Sequence, residues 1–343
     1  MKIAVWNCRG LGNRSTVRGL LGFQKSEGAD ILFLSETKLD ERRMQRFRWM
    51  LGLANMLVHD CDGQGGGIAM LWWRGVDVSL RTMSKYHIDM DIKGTNGGSW
   101  RFTGLYGEPH HDHKYKTWIT MRNLISYPAV PWLMAGDFNE ILFAHEKEGG
   151  RPKSQREMDA FRVALEECEL QDLGFEGDMY TWRNNCHEVD GYIRERLDRG
   201  VANKEWQMMF PNARVINGDP RHSDHRPEII TTEGRGERRS GGGGQKLFHF
   251  EVAWLEEEMC PEVVKTAWEE AMGRGETGVH AALKVVAGGL GHWSRNILGD
   301  LEKRMKFLKK QLELCWRGAI NPESVAREGV LRFKLERVEE QID

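Results

Sequence analysis

A chain of 343 residues with 40% hydrophobic content has room for one large domain plus an appendage, or for two ordinary ones, and excludes a small cross-linked scaffold. Its 49 Lys and Arg nearly cancel its 51 Asp and Glu, so a net charge of −2 exerts no global pull on a polyanion and any nucleic-acid partner has to meet a local patch. Six scattered cysteines with no C-x-x-C pair, apolar runs far short of the roughly 20 residues that span a bilayer, and a first apolar stretch too short for a signal peptide point to an intracellular, membrane-free protein with free thiols.

In chain order, β-rich runs at residues 2–7, 30–35, 56–59, 67–73, 76–81, 87–92, 100–106 and 132–136 alternate with helical patterns at 16–27, 41–51, 115–125 and 155–168. Several strands follow one another through short turns between helix-bearing segments, which predicts a mixed α/β sandwich with helices covering packed sheets. Residues 233–246, with 4 basic and 1 acidic side chains after Glu233 and four consecutive glycines at 241–244, read as a linker. Beyond it the pattern is helix alone. Leu301, Met305, Leu308, Leu312 and Cys315 form one stripe, and Leu331, Leu335, Val338 and Ile342 another, so 247–343 is expected to be a helical segment containing an antiparallel hairpin turned at 318–322. The two stripes are expected to pack on each other, with an outside partner as the alternative.

The residues that can carry chemistry end hydrophobic strands. Asn7 closes Ile-Ala-Val-Trp-Asn, Glu36 closes Ile-Leu-Phe-Leu-Ser-Glu, Tyr106 closes Phe-Thr-Gly-Leu-Tyr, and Asp137 with Asn139 closes Trp-Leu-Met-Ala-Gly-Asp-Phe-Asn. Arg196-Leu197-Asp198-Arg199 and Ser223-Asp224-His225-Arg226-Pro227 follow. Each string alone reads as a turn, a helix start or an ion pair; a packed scaffold, however, can aim strand ends at one crevice. His110, His111 and His113 read as a solvated loop, and Trp182 as core rather than as a base-stacking platform.

In this order, Asn-x-Arg-Gly, Ser-Glu-Thr, Leu-Tyr-Gly, Gly-Asp-Phe-Asn, Arg-Leu-Asp and Ser-Asp-His-Arg-Pro resemble the endonuclease/exonuclease/phosphatase superfamily over residues 1–232. Within it, Trp6 to Gly12, Leu34 to Lys38, Gly136 to Leu142, His145 to Arg151 and Glu195 to Arg199 are similar to the endonuclease domain of plant LINE-type (non-LTR) retrotransposons. Phe248 to Trp254 is similar to the segment that follows that domain, and no Asp-Asp pair of a reverse transcriptase is present. The resemblance implies a four-layer αββα sandwich followed by an all-α tail. It also implies Mg2+, with Mn2+ as a substitute, held by Asn7, Glu36 and Asp224.

A hard cation suits the task, because negative charge grows on the phosphoryl and leaving oxygens of a polyanionic ester as water attacks. The catalytic set implied is Tyr106, Asp137, Asn139, Asp198, Asp224 and His225, with Asp198 fixing the tautomer of His225 and the formal base open between Asp137 and His225. Arg9, Thr181, Trp182, Arg199 and Ser223 are implied to contact substrate, and Arg9, Arg14, Lys38, Arg183, Arg194, Arg199 and Arg226 are candidates for a DNA-binding face. Arg9 stands where many abasic-site endonucleases carry a second acidic residue, which favours general or retrotransposon-type nicking. The expected activity is a DNA endonuclease, monomeric, leaving a 3′-hydroxyl and a 5′-phosphate. The nucleus is compatible with this, although Arg235 to Arg239 makes no strong targeting signal. The alternatives are a catalytically silent relic serving as a binding module, and a phosphatase or phosphodiesterase acting on a small or lipid substrate.

Overall fold

The structure, a computed structural model, describes residues 1–63, 65–94, 98–126, 128–184, 186, 188–219, 222–233, 260–273 and 279–340. These divide into two compact units, an α/β unit ahead of residue 238 and a helical one built from residues after it. Most of the proposed linker and the segment Phe248 to Trp254 lie outside the described residues. Among the described residues no helix is long and apolar enough to cross a membrane.

The α/β unit holds two six-stranded sheets and a small three-stranded one. The first sheet is ordered Arg214–Asn217, Glu228–Thr231, Lys2–Asn7, Ile31–Ser35, Gly65–Trp72, Asn55–Asp62. The second is ordered Gln171–Asp172, Asp198–Ala202, Trp132–Asp137, Ser99–Tyr106, His87–Lys93, Asp77–Ser84. Side chains alternate between the faces of a strand, and the sequence uses both faces. Ile3, Val5, Ile31, Phe33, Ile68 and Met70 of the first sheet meet Ile88, Met90, Phe102, Leu133 and Ala135 of the second in a central core. The intervening Ala4, Trp6, Leu32, Leu34, Ala69 and Leu71 face outward, onto Leu20 and Phe23 of the helix Arg14–Glu27 and Met44 and Phe47 of the helix Glu41–Met50. Behind the second sheet, Leu105, Met134 and Val201 pack on Trp118 and Met121 of Tyr115–Asn123 and on Phe161 and Ala164 of Gln155–Glu167. This is the αββα sandwich that the resemblance implies. The sheets meet closely enough at Gly104 that a Cβ there would lie 2.3 Å from the Phe33 ring.

Residues 171–231 contain elements that sequence periodicity does not predict, because most of these strands are only two to five residues long and show less than one clear alternation. They include Asp198–Ala202, antiparallel to Trp132–Asp137, and Arg194–Glu195 and Trp182–Arg183, which form the three-stranded sheet with the earlier Lys147–Glu148.

The helical unit contains Cys260–Gly273, Val279–Arg317 and Pro322–Glu340. Leu308, Leu312, Leu331, Leu335 and Val338 share one cluster with the partly buried Leu301, Met305 and Cys315, so the two stripes pack on each other; Ile342 lies outside the described residues. Trp316 joins this seam, and a separate cluster ties Cys260 and Ala267 to Val286, Leu290 and Trp293.

Candidate active site

Strand direction brings the polar residues together. Lys2–Asn7 and Ile31–Ser35 are parallel with Asn7 opposite Ser35, so Asn7 and Glu36 leave the first sheet side by side. Ser99–Tyr106 and Trp132–Asp137 are parallel with Tyr106 opposite Asp137, and Asp198 pairs with Asp137 from the other side. Glu228–Thr231 runs antiparallel to the first strand, so the segment that enters it, Ser223 to Pro227, lies at the same end.

Asn7 links the two sheets. Its Nδ2 donates to Glu36 Oε1 and to Asp137 Oδ2, both at 2.9 Å, and Tyr106 donates its hydroxyl to the same Glu36 oxygen at 3.1 Å. Asp137, 1% exposed, also accepts from the Asn139 backbone at 2.8 Å and from Asn139 Nδ2 at 3.1 Å. Asn139 Nδ2 also reaches the Gly107 carbonyl, where the strand ends approach so closely that a Cβ on Gly107 would lie 2.3 Å from the Phe138 carbonyl oxygen. His225 Nδ1 lies 2.9 Å from Asp198 Oδ2, and its Nε2 lies 3.8 Å from Asp137 Oδ2. Arg9, Glu36, Lys38 and Asn139 all hold left-handed backbones, with φ of 50 to 54°. That conformation is costly for non-glycine residues, and here it gathers at one mouth.

Burial works against the charge on His225, but the Asp198 and Asp137 carboxylates outweigh it and raise the imidazolium to about 9. Burial lifts Asp137 to about 6, with His225 opposing and Asp198 adding to the rise. At neutral pH the proton therefore resides on the imidazole, and Asp137 is a carboxylate. Tyr106 is pushed far up, by burial first and then by Glu36 and Asp137, and remains a neutral donor.

Two positions offer ligands for a cation. Glu36 is half-buried and engages its neighbours through Oε1; with the Asn7 amide it makes an all-oxygen donor set suited to a hard ion. Asn7 turns its amide nitrogen toward the carboxylates, so its oxygen reaches an ion only after a flip. Asp137, Asp198 and His225 form the other group, with ligand atoms within 4.8 Å of one another among the described residues. The imidazole there spans two carboxylates through its two nitrogens, an arrangement that also suits holding a proton. Asp224, grouped with Asn7 and Glu36 by sequence, instead receives Trp182 Nε1–H at 2.8 Å and the Arg9 guanidinium.

Several residues expected at the substrate have buried side chains that bond within the protein. Arg199 is fully buried, with Nη1 2.7 Å from Asp172 Oδ2 and Nη2 2.9 Å from Glu146 Oε2, while Arg196 bonds the same two carboxylates at 2.8 and 2.9 Å. Thr181 Oγ1 accepts from the backbone of Leu197 and Asp198 at 3.0 and 2.9 Å, and Ser223 Oγ donates to the Asn7 carbonyl at 2.8 Å. Both hydroxyls fasten strand ends. Arg183 and Arg226 are buried on Asp178, and Arg194 on Glu148, so these three do not form an exposed face either. Arg9 and Arg14 are exposed, Lys38 and Trp182 half-buried, and His110, His111 and His113 sit in or beside an exposed turn. Lys114, which sequence reasoning passed over, donates to the Asn139 carbonyl. Its only sequence signal is a cation shortly after the Tyr106 strand end.

The fold resembles that of the AP endonuclease LMAP from Leishmania major, with TM-score 0.53 and 16% identity over 67% of this chain and 86% of that one. It also resembles a 3′ phosphatase, NExo, from Neisseria bound to product DNA hairpin, with TM-score 0.51 and 19% identity over 67% and 98%. A third similar structure is the Xenopus laevis APE2 catalytic domain, with TM-score 0.51 and 15% identity over 67% and 91%. At these identities the likeness is one of fold. No curated protein matches the sequence. Residues 4–207, which carry both sheets' central strands and the acidic residues at their ends, match the family model "Endonuclease/Exonuclease/phosphatase family", and the chain belongs to that family.

Proposed function

We propose that the chain is a divalent-cation-dependent nuclease that nicks one strand of duplex DNA, leaving a 3′-hydroxyl and a 5′-phosphate. The observation that carries this reading is the convergence of Glu36, Asp137 and the Asp198–His225 pair on one end of the two sheets, joined through Asn7. Magnesium, or manganese in its place, held by Glu36, Asn7 and Asp224 would supply Lewis-acid stabilisation of the charge that grows on the phosphoryl oxygens.

The chain's own groups divide the remaining work. Asp137, buried and held by Asn7 and Asn139, accepts the proton of the attacking water. His225, charged at neutral pH, donates from Nε2 to the phosphate, while Asp198 holds Nδ1–H and so fixes the ring. Tyr106 keeps its proton and donates toward the developing charge. Asn139 serves mainly to orient Asp137, since both its donors already point at that carboxylate. The ordered motifs support placing this activity in a non-LTR retrotransposon, where the new 3′-hydroxyl would prime reverse transcription.

Nicking of supercoiled plasmid in Mg2+, and its loss with chelator, tests the reading. Glu36→Ala and Asp137→Ala should each lower the rate on the order of 10² to 10⁴ with melting temperature retained. Undiminished nicking in either folded variant overturns the assignment.

A further inference from the structure

We propose that Arg9 is a displaceable counter-ion that keeps Asp224 from a divalent cation until a substrate phosphate draws the guanidinium away. This rests on the nuclease reading for the identity of cation and substrate. The Asp224 side chain is 0% exposed, and its Oδ2 receives both the Arg9 guanidinium and Trp182 Nε1–H, while Oδ1 lies 3.3 Å from Ser223 Oγ. A carboxylate so enclosed needs a positive partner, because an uncompensated buried charge is strongly destabilising. Arg9 and a divalent cation are alternatives for that role.

The geometry of Arg9 suits exchange. Its side chain is 52% exposed, unlike the carboxylate it covers, so the guanidinium can turn to solvent or to a bound phosphate without unpacking the core. Its backbone is left-handed at φ 50°, and Arg9 N donates to Asn7 Oδ1 at 3.1 Å. One residue therefore touches Asn7 through its main chain and Asp224 through its side chain. While paired, Arg9 offsets the attraction of Asp224 for an incoming cation by its own repulsion. A phosphate offers the guanidinium two oxygens and a bidentate contact, and withdrawing Arg9 restores the negative charge of Asp224. Substrate and cation binding are then coupled reciprocally through this one side chain.

The test is Mn2+ affinity of the full chain, by electron paramagnetic resonance, with and without a duplex oligonucleotide. Without DNA, Arg9→Gln should bind Mn2+ about tenfold more tightly than the unmodified protein, Arg9→Lys should stay close to it, and DNA should tighten Mn2+ binding less in Arg9→Gln. In an Asp224→Asn background Arg9→Gln should change nothing. Equal Mn2+ affinity of Arg9→Gln and unmodified protein, including no binding by either, or an effect that persists with Asp224→Asn, overturns the proposal. Because the DNA-free titration needs no turnover, the expected Mn2+ pattern in a protein that fails to nick would overturn the nuclease reading alone.

Discussion

Asp198 Oδ2 lies 2.9 Å from His225 Nδ1 in a buried pair that joins the second sheet to the segment entering the last strand of the first. The Asp198 carboxylate is the largest influence raising the imidazolium, which reaches about 9 against the opposing effect of burial. Asp198→Asn should therefore bring the His225 titration, followed by NMR, down toward its ordinary 6.5. Nicking should fall by about 10² or more, and its alkaline limit should move to lower pH, because the charged imidazole is lost earlier. The stability that charging His225 contributes is fully present below 6.5 and lost as pH rises through about 9. An unchanged titration would sink the pairing as the cause.

Glu228 is 1% exposed and shares the inward face with Ile230; neither of its carboxyl oxygens has a hydrogen-bond partner among the described residues. Burial first, and then the charge of Asp198, raises its carboxyl from 4.5 to about 8. The folded protein holds this proton where the unfolded chain has lost it, so stability should decline as pH rises from about 4.5 to about 8. Glu228→Gln should flatten that decline and stabilise the protein at pH 8 on the order of a few kcal/mol. Urea unfolding across pH decides the matter, and parallel profiles for the two proteins would contradict it.

Glu146 stands between Arg196 and Arg199, which lie at 2.9 Å from its two oxygens and also share Asp172. Removing one carboxylate from so enclosed a ring leaves buried guanidinium charge unbalanced. Glu146→Ala should cost about 3 to 5 kcal/mol in denaturant unfolding, and the double replacement of Glu146 and Arg199 by apolar residues should recover part of it. A loss below about 1 kcal/mol would mean that the ring contributes little.

With Arg183, Arg194, Arg199 and Arg226 committed to buried carboxylates, Arg9, Arg14 and Lys38 remain of the cations expected at a DNA-binding face, and Lys114, which reaches the Asn139 carbonyl, joins them. Duplex affinity of the Glu36→Ala protein in Mg2+ should fall with salt at a log–log slope of about −3 to −4, since each phosphate contact contributes roughly −0.9. Lys114→Ala should reduce that slope by about one. A flat dependence, with turnover of a small phosphoester by the unmodified protein, would replace DNA as the substrate.

The central strands were legible because their own alternation states which side chains are covered: Ile3 and Val5 against Ala4 and Trp6, Ile31 and Phe33 against Leu32 and Leu34. The polar residues that interrupt those runs, Asn7, Glu36, Tyr106 and Asp137, were visible for the same reason, as the points where apolar strands stop. The short strands after residue 170 left no such mark, because a strand of two to five residues has too few positions to show a period.

Which charges neutralise one another is settled by packing alone. Arg199 looks like a surface cation beside Asp198 until packing sets it between Glu146 and Asp172, residues far from it in sequence, and Asp224 looks like a companion of Glu36 until Arg9 and Trp182 reach it. Local sequence reports how an element buries its own faces. Which charges share a buried space depends on strand order and on the meeting of two sheets, and that information belongs to pairs of residues that the chain itself keeps far apart.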